Sequence, residues 1–175
     1  MFARLEFDSE KAAEAILFVA ERLDSPTFFY IAKALYFADL VHLEKYGRPI
    51  IGDQYIAMRN GPVPSAVYDM LKHVRDNSNT KLSLAANNAF EIKNQCHLIP
   101  LRKANENLLS KSDVYALEAG VKRCYGKTFK QLSKESHDAA WESANENDVI
   151  SIDAVADMLS NSEEIKAFLN NPIPD

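Results

Sequence analysis

The chain has 175 residues, of which 47% are hydrophobic and 26% charged, with five glycines, seven prolines and a formal net charge of −5. That supplies enough apolar material for a core without staples and too few turn residues for a loop-rich sandwich. The acidic balance and scattered lysines argue against a nucleic-acid or anionic-membrane partner, and no charge-free apolar run is long enough to span a bilayer.

Asp8 or Ser9 is placed to cap a first helix, along which Ala12, Ile16, Val19, Ala20 and Leu23 repeat at helical spacing. Ser25-Pro26 predicts a second helix start. The stretch that follows, with Phe28, Phe29, Ile31, Leu35, Tyr36, Phe37, Leu40 and Leu43, is apolar on most of its circumference and is expected to be the central helix, closed by Gly47. Pro49 to Asp53 reads as a turn, Gln54 to Met58 as a short extended segment, and Gly61-Pro62-Val63-Pro64 as a stiff loop before a helix opened by Ser65.

Residues 76–103 are polar and broken, with Leu82-Ser83-Leu84, Phe90-Glu91-Ile92 and His97-Leu98-Ile99 expected as short strands and Asn87-Asn88 and Asn94-Gln95 as turns. Helices resume after Ser112-Asp113 and end at Gly126. Thr128 with Gln131 matches a capping box, Ser136-His137 precedes a short helical piece holding Trp141, Ser151 and Ser162 open two last helices, and Pro172 and Pro174 stop the chain. No repeat or linker interrupts the pattern. The expectation is one mainly α domain over residues 1–175, compact around the central helix, with a small β element in the middle of the chain.

No pattern for metal, nucleotide or nucleophilic chemistry stands out, so no cofactor and no catalytic residue is expected. Cys96 and Cys124 have no framework spacing, which points to a reducing compartment. The first residues are acidic without an apolar stretch, unlike a secretory leader, so the cytoplasm is the expected address. Asp39 and His42 lie three residues apart on the apolar helix and suggest either an acid–base pair or structural groups; the structural reading is taken, with Asp39 hydrogen-bonded internally and His42 at the rim. His137 and Trp141, one turn apart, suggest either a cleft or a satisfied core tryptophan, and again the structural reading is taken. Lys122, Arg123, Lys127 and Lys130 form a local basic face that keeps a nucleic-acid reading alive as a minor alternative.

Two blocks carry a resemblance. The run from Lys33 through Tyr36 to Asp39, with His42-Leu43 and Tyr46-Gly47, is followed in order by Gly52-Asp53, Tyr55, Met58, Gly61-Pro62-Val63-Pro64-Ser65 and Tyr68-Asp69. Leu117-Glu118, Tyr125-Gly126, Ser136-His137 and Trp141 continue it downstream. From about residue 10 to about residue 145 the chain resembles the Panacea domain of SocA-like antitoxins and phage-associated proteins. The resemblance implies a non-enzymatic antitoxin that neutralises a cognate toxin protein by direct contact. Its alternatives are a proteolytic adaptor that delivers the toxin to a cytoplasmic protease, and a prophage accessory protein. It implies no catalytic residues, and it leaves the stoichiometry open, a homo-oligomer included. Residues 76–103 and the helices from Ser151 onward are the regions expected to meet a partner.

Overall fold

The computed structural model describes residues 6–170. Helix α1 (Ser9–Ala20) begins at Asp8, whose carboxylate accepts the Lys11 amide at 3.0 Å. Helix α2 (Phe28–Tyr46) is capped by Thr27 and closes on Gly47, which takes the left-handed conformation at φ 71°. The helix starts two residues after the predicted Ser25-Pro26. The Pro26 carbonyl accepts the Leu98 amide and the Phe28 amide donates to the Cys96 carbonyl, both at 2.9 Å, so pairing of Thr27 with His97 of a later strand holds residues 26 and 27 extended.

Strands β1 (Tyr55–Met58) and β2 (Gly61–Pro64) form an antiparallel hairpin with Tyr55 opposite Pro64 and Met58 opposite Gly61. The expected stiff loop is therefore a strand. The reason lies in the ladder. The Ala57 amide donates to the Asp148 carbonyl and the Tyr55 carbonyl accepts from the Ile150 amide, so these two residues turn their backbone groups away from β2. Pro62 and Pro64 face them at positions where no N–H is needed, and β2 is an edge strand that tolerates proline.

Helix α3 (Ser65–Arg75) leads to α4 (Lys81–Ala85), which replaces the strand expected at Leu82-Ser83-Leu84. A reciprocal capping box between Thr80 and Ser83 starts a helical turn there and overrides the short apolar alternation. Strands β3 (Phe90–Lys93) and β4 (His97–Pro100) form the expected hairpin around Asn94 and Gln95, both left-handed.

After a 3-10 turn at Glu106–Leu108 come α5 (Lys111–Cys124), α6 (Phe129–Ser136), α7 (Ala139–Glu142), α8 (Ile152–Asp157) and α9 (Ser162–Asn170). Helix α5 is capped by Ser110 rather than Ser112, because Ser110 forms a capping box with Asp113. Thr128 and Gln131 form the predicted box on α6. Helix α7 takes its cap from Asp138, and Ser151 caps α8. Pro172 and Pro174 lie outside the described residues.

Among the described residues the fold is mainly α, with two small two-stranded sheets. Helix α2 runs through the middle of one continuous core. Ile31, Ala34, Leu35, Phe37 and Leu43 are buried there, with α1 contributing Ile16, Leu17 and Phe18 and α5 contributing Leu117 and Val121. The α2–α5 crossing depends on Gly120, since any Cβ there would collide with the Ala34 carbonyl. Among the described residues no helix is long and apolar enough to cross a membrane.

Candidate functional site

The two blocks singled out in the sequence meet across the β1–β2 hairpin, which α2 holds on one side and the α6–α7 segment on the other. From α2, the Lys33 amine donates to the Pro62 carbonyl at 2.9 Å. Pro62 sits at a position where the ladder leaves its carbonyl free for that donor. Asp39 accepts the Ile50 amide at 2.8 Å and the Tyr55 hydroxyl at 2.7 Å. From the other side, the Trp141 indole N–H donates to the Met58 carbonyl at 2.9 Å, and His137 Nε2 lies 3.1 Å from the Arg59 carbonyl. The His137 and Trp141 rings stack at 3.8 Å.

Further links close the clasp. The Tyr36 hydroxyl donates at 2.7 Å to Asp138, the cap of α7, and the Tyr36 ring meets Tyr55 edge-on. Gly61 has φ 107°, and a Cβ there would overlap Ser136 Oγ, which is buried and donates to the Ser133 carbonyl. Asp53 accepts three amides, from Gln54, Ala66 and Val67, at 2.8–2.9 Å. It thus caps α3 across the hairpin, a helix whose own N-cap is Pro64 and lacks a side-chain acceptor. Ser65 is the first residue of that helix, and Tyr68 packs edge-on against Phe28. Gly52, at φ 71°, passes so close to the Glu6 backbone that no side chain fits.

The electrostatics follow from burial. Asp39 is almost sealed from solvent, and burial pushes its carboxyl up to about 6 despite its two hydrogen bonds. Asp53 also shifts upward through burial, against the three amides that favour its charge.

His42 departs from expectation. It is fully buried rather than at the rim, and Asp39 is not its hydrogen-bond partner. Its Nδ1 lies 2.6 Å from the Arg48 carbonyl, and its Nε2 lies 3.0 Å from Ser112 Oγ and 3.2 Å from Asp113 Oδ1. His42 faces α5, and its carboxylate partner lies far along the chain. Serine, histidine and aspartate meet here, but not as a nucleophilic triad. Serine and carboxylate both approach Nε2, whereas a relay places them on opposite ring nitrogens. Burial alone would raise the Asp113 carboxyl; hydrogen bonds from His42, Lys11 and Ser110 instead hold it well below the usual carboxylate range.

Three groups escaped the sequence reading as site residues. Asp113 is the hub just described. Glu14, buried in α1, holds Arg102 through two contacts of 2.6 and 2.9 Å. Lys33 is 1% exposed, its amine 5.0 Å from the Phe29 ring centre, and burial pushes it down to about 7. A lysine in the middle of the apolar run of α2 was the available signal for it. Cys96 is exposed, whereas Cys124 is buried and its thiol is pushed up to about 11. Among the described residues, no group of three or more His, Cys, Asp and Glu is arranged to hold a metal ion.

The family model for the antitoxin SocA-like, Panacea domain matches residues 31–142. The chain belongs to that family. The match opens within α2 and closes on the last residue of α7, so it contains both sides of the clasp and leaves α1, α8 and α9 outside. It begins later than residue 10, where the resemblance read from residue pattern starts. No curated protein and no solved structure matches the chain.

Proposed function

We propose that this chain is an antitoxin that binds a cognate toxin protein and neutralises it stoichiometrically, without catalysing a reaction. Family membership supports an antitoxin-like role. The observation that carries the mechanism is the internal engagement of the family blocks. Asp39 holds Ile50 and Tyr55, Asp53 holds the start of α3, and Trp141 holds Met58. These groups shape the fold, which leaves recognition to exposed side chains.

Residues 76–103, expected to meet a partner, are folded into α4 and the β3–β4 hairpin. The test is co-expression with the product of the adjacent gene, scoring growth and co-purification. The reading expects restored growth and a stable complex. Growth that stays arrested beside a soluble, folded chain contradicts it. Rescue that requires a host protease, with loss of the toxin band, replaces masking by delivery.

A further inference from the structure

We propose that the corner where α5 turns into α6 is the toxin-docking surface, and that it receives an acidic segment of the toxin carrying an aromatic or aliphatic anchor; this rests on the antitoxin reading above. Tyr125 and Phe129 are 52% and 47% exposed. The Phe129 ring lies 4.1 Å from Phe29, which in turn meets Tyr30 edge-on at 5.4 Å. The Tyr30 hydroxyl donates to the Lys127 carbonyl at 3.1 Å and pins the connecting turn to the first turn of α2. Phe129, Phe29 and Tyr30 thus form a contiguous aromatic surface on a fixed backbone, with Tyr125 exposed one turn earlier in the chain, the type of anchor site that dominates binding energy at interfaces.

Charge selects the occupant. Residues 122–134 carry Lys122, Arg123, Lys127, Lys130 and Lys134 and no acid, in a chain of net charge −5. The acid that follows, Glu135, is engaged by Lys127 at 2.8 Å and Arg123 at 3.7 Å. Lys122, Lys130 and Lys134 are exposed and make no ion pair among the described residues. Covering such an aromatic surface desolvates its cationic rim, a cost offset when the partner brings carboxylates. Aromatic rings beside lysines also suit single-stranded nucleic acid. The acidic chain and its family membership favour a protein segment.

The test uses the purified full-length chain and, as probe, the product of the adjacent gene. Phe129→Ala and the double reversal Lys122→Glu/Lys130→Glu should each weaken the complex about tenfold or more, and the reversal should flatten its salt dependence. Leu108→Ala, 46% exposed beyond the opposite end of α5, should bind like wild type, and melting temperatures verify folding. The reversal tests the surface even where Phe129→Ala loses stability. If the wild type binds and both variants bind equally well, the surface is wrong and the antitoxin reading stands. If the folded wild type fails to bind, the reading falls and takes this assignment with it. Binding of a labelled single-stranded RNA that the reversal abolishes assigns the corner to nucleic acid and overturns the protein occupant.

Discussion

Replacing Lys33 by methionine isolates the energetics of the clasp. The side chain keeps a similar length and loses its charge. Burial lowers the amine from 10.5 to about 7. Between these values the unfolded chain holds more protons than the folded one, so the lysine makes stability rise with pH. The whole interval corresponds to about 5 kcal/mol, and the part between pH 7 and pH 9 to about 2 kcal/mol. Methionine leaves the Pro62 carbonyl without its donor, which adds an offset of about 1–3 kcal/mol that does not vary with pH. Urea unfolding of both proteins across this range measures the difference, and groups common to both cancel. Wild-type stability relative to Lys33→Met should climb by about 2 kcal/mol from pH 7 to pH 9. A difference that stays flat would refute the burial argument.

Asp39 predicts the opposite slope. Its carboxyl is raised from 3.8 to about 6, so the folded state retains the proton and stability falls as pH rises through that window. Stability measured at the two ends should show Asp39→Asn escaping a loss of about 2 kcal/mol. Asp53→Ala removes the remote cap of α3, which should cost about 0.5–2 kcal/mol and speed amide exchange at Ala66 and Val67. Gly61→Ala forces a side chain to φ 107° and against Ser136, and calorimetry should show a loss of more than about 1 kcal/mol. Leu35→Ala, at a site 2% exposed in the central helix, should cost about 2–5 kcal/mol by denaturant titration.

The helices were readable wherever periodicity and capping agreed. Asp8, Gly47 and the Thr128–Gln131 box act as local chemistry dictates, and the all-round apolar character of α2 pointed to its central place. Asn94-Gln95 marked a hairpin because asparagine visits the left-handed conformation readily, and Gln95 follows it there at φ 67°. The β1–β2 hairpin was hidden, since two prolines argue against a strand until the register shows their N–H is not required. The helix at Leu82 was missed although Thr80 and Ser83 carried a capping signal.

The clasp was less legible than its parts. Nothing local to Tyr36 indicates Asp138, and nothing local to Trp141 indicates the Met58 carbonyl; only the folded chain brings them together. His42 was placed at the rim because its partner Asp113 is distant in sequence. Exposure of Phe129 is equally a tertiary fact.

Titration of the toxin's own activity with the purified chain tests neutralisation by binding most directly. The account predicts inhibition that grows linearly and is complete at a fixed molar ratio, and it predicts that His137→Ala and Asp39→Asn, where folded, inhibit like the wild type. Complete inhibition by a small fraction of that ratio, lost in either variant while binding persists, would contradict it and assign the chain a catalytic role.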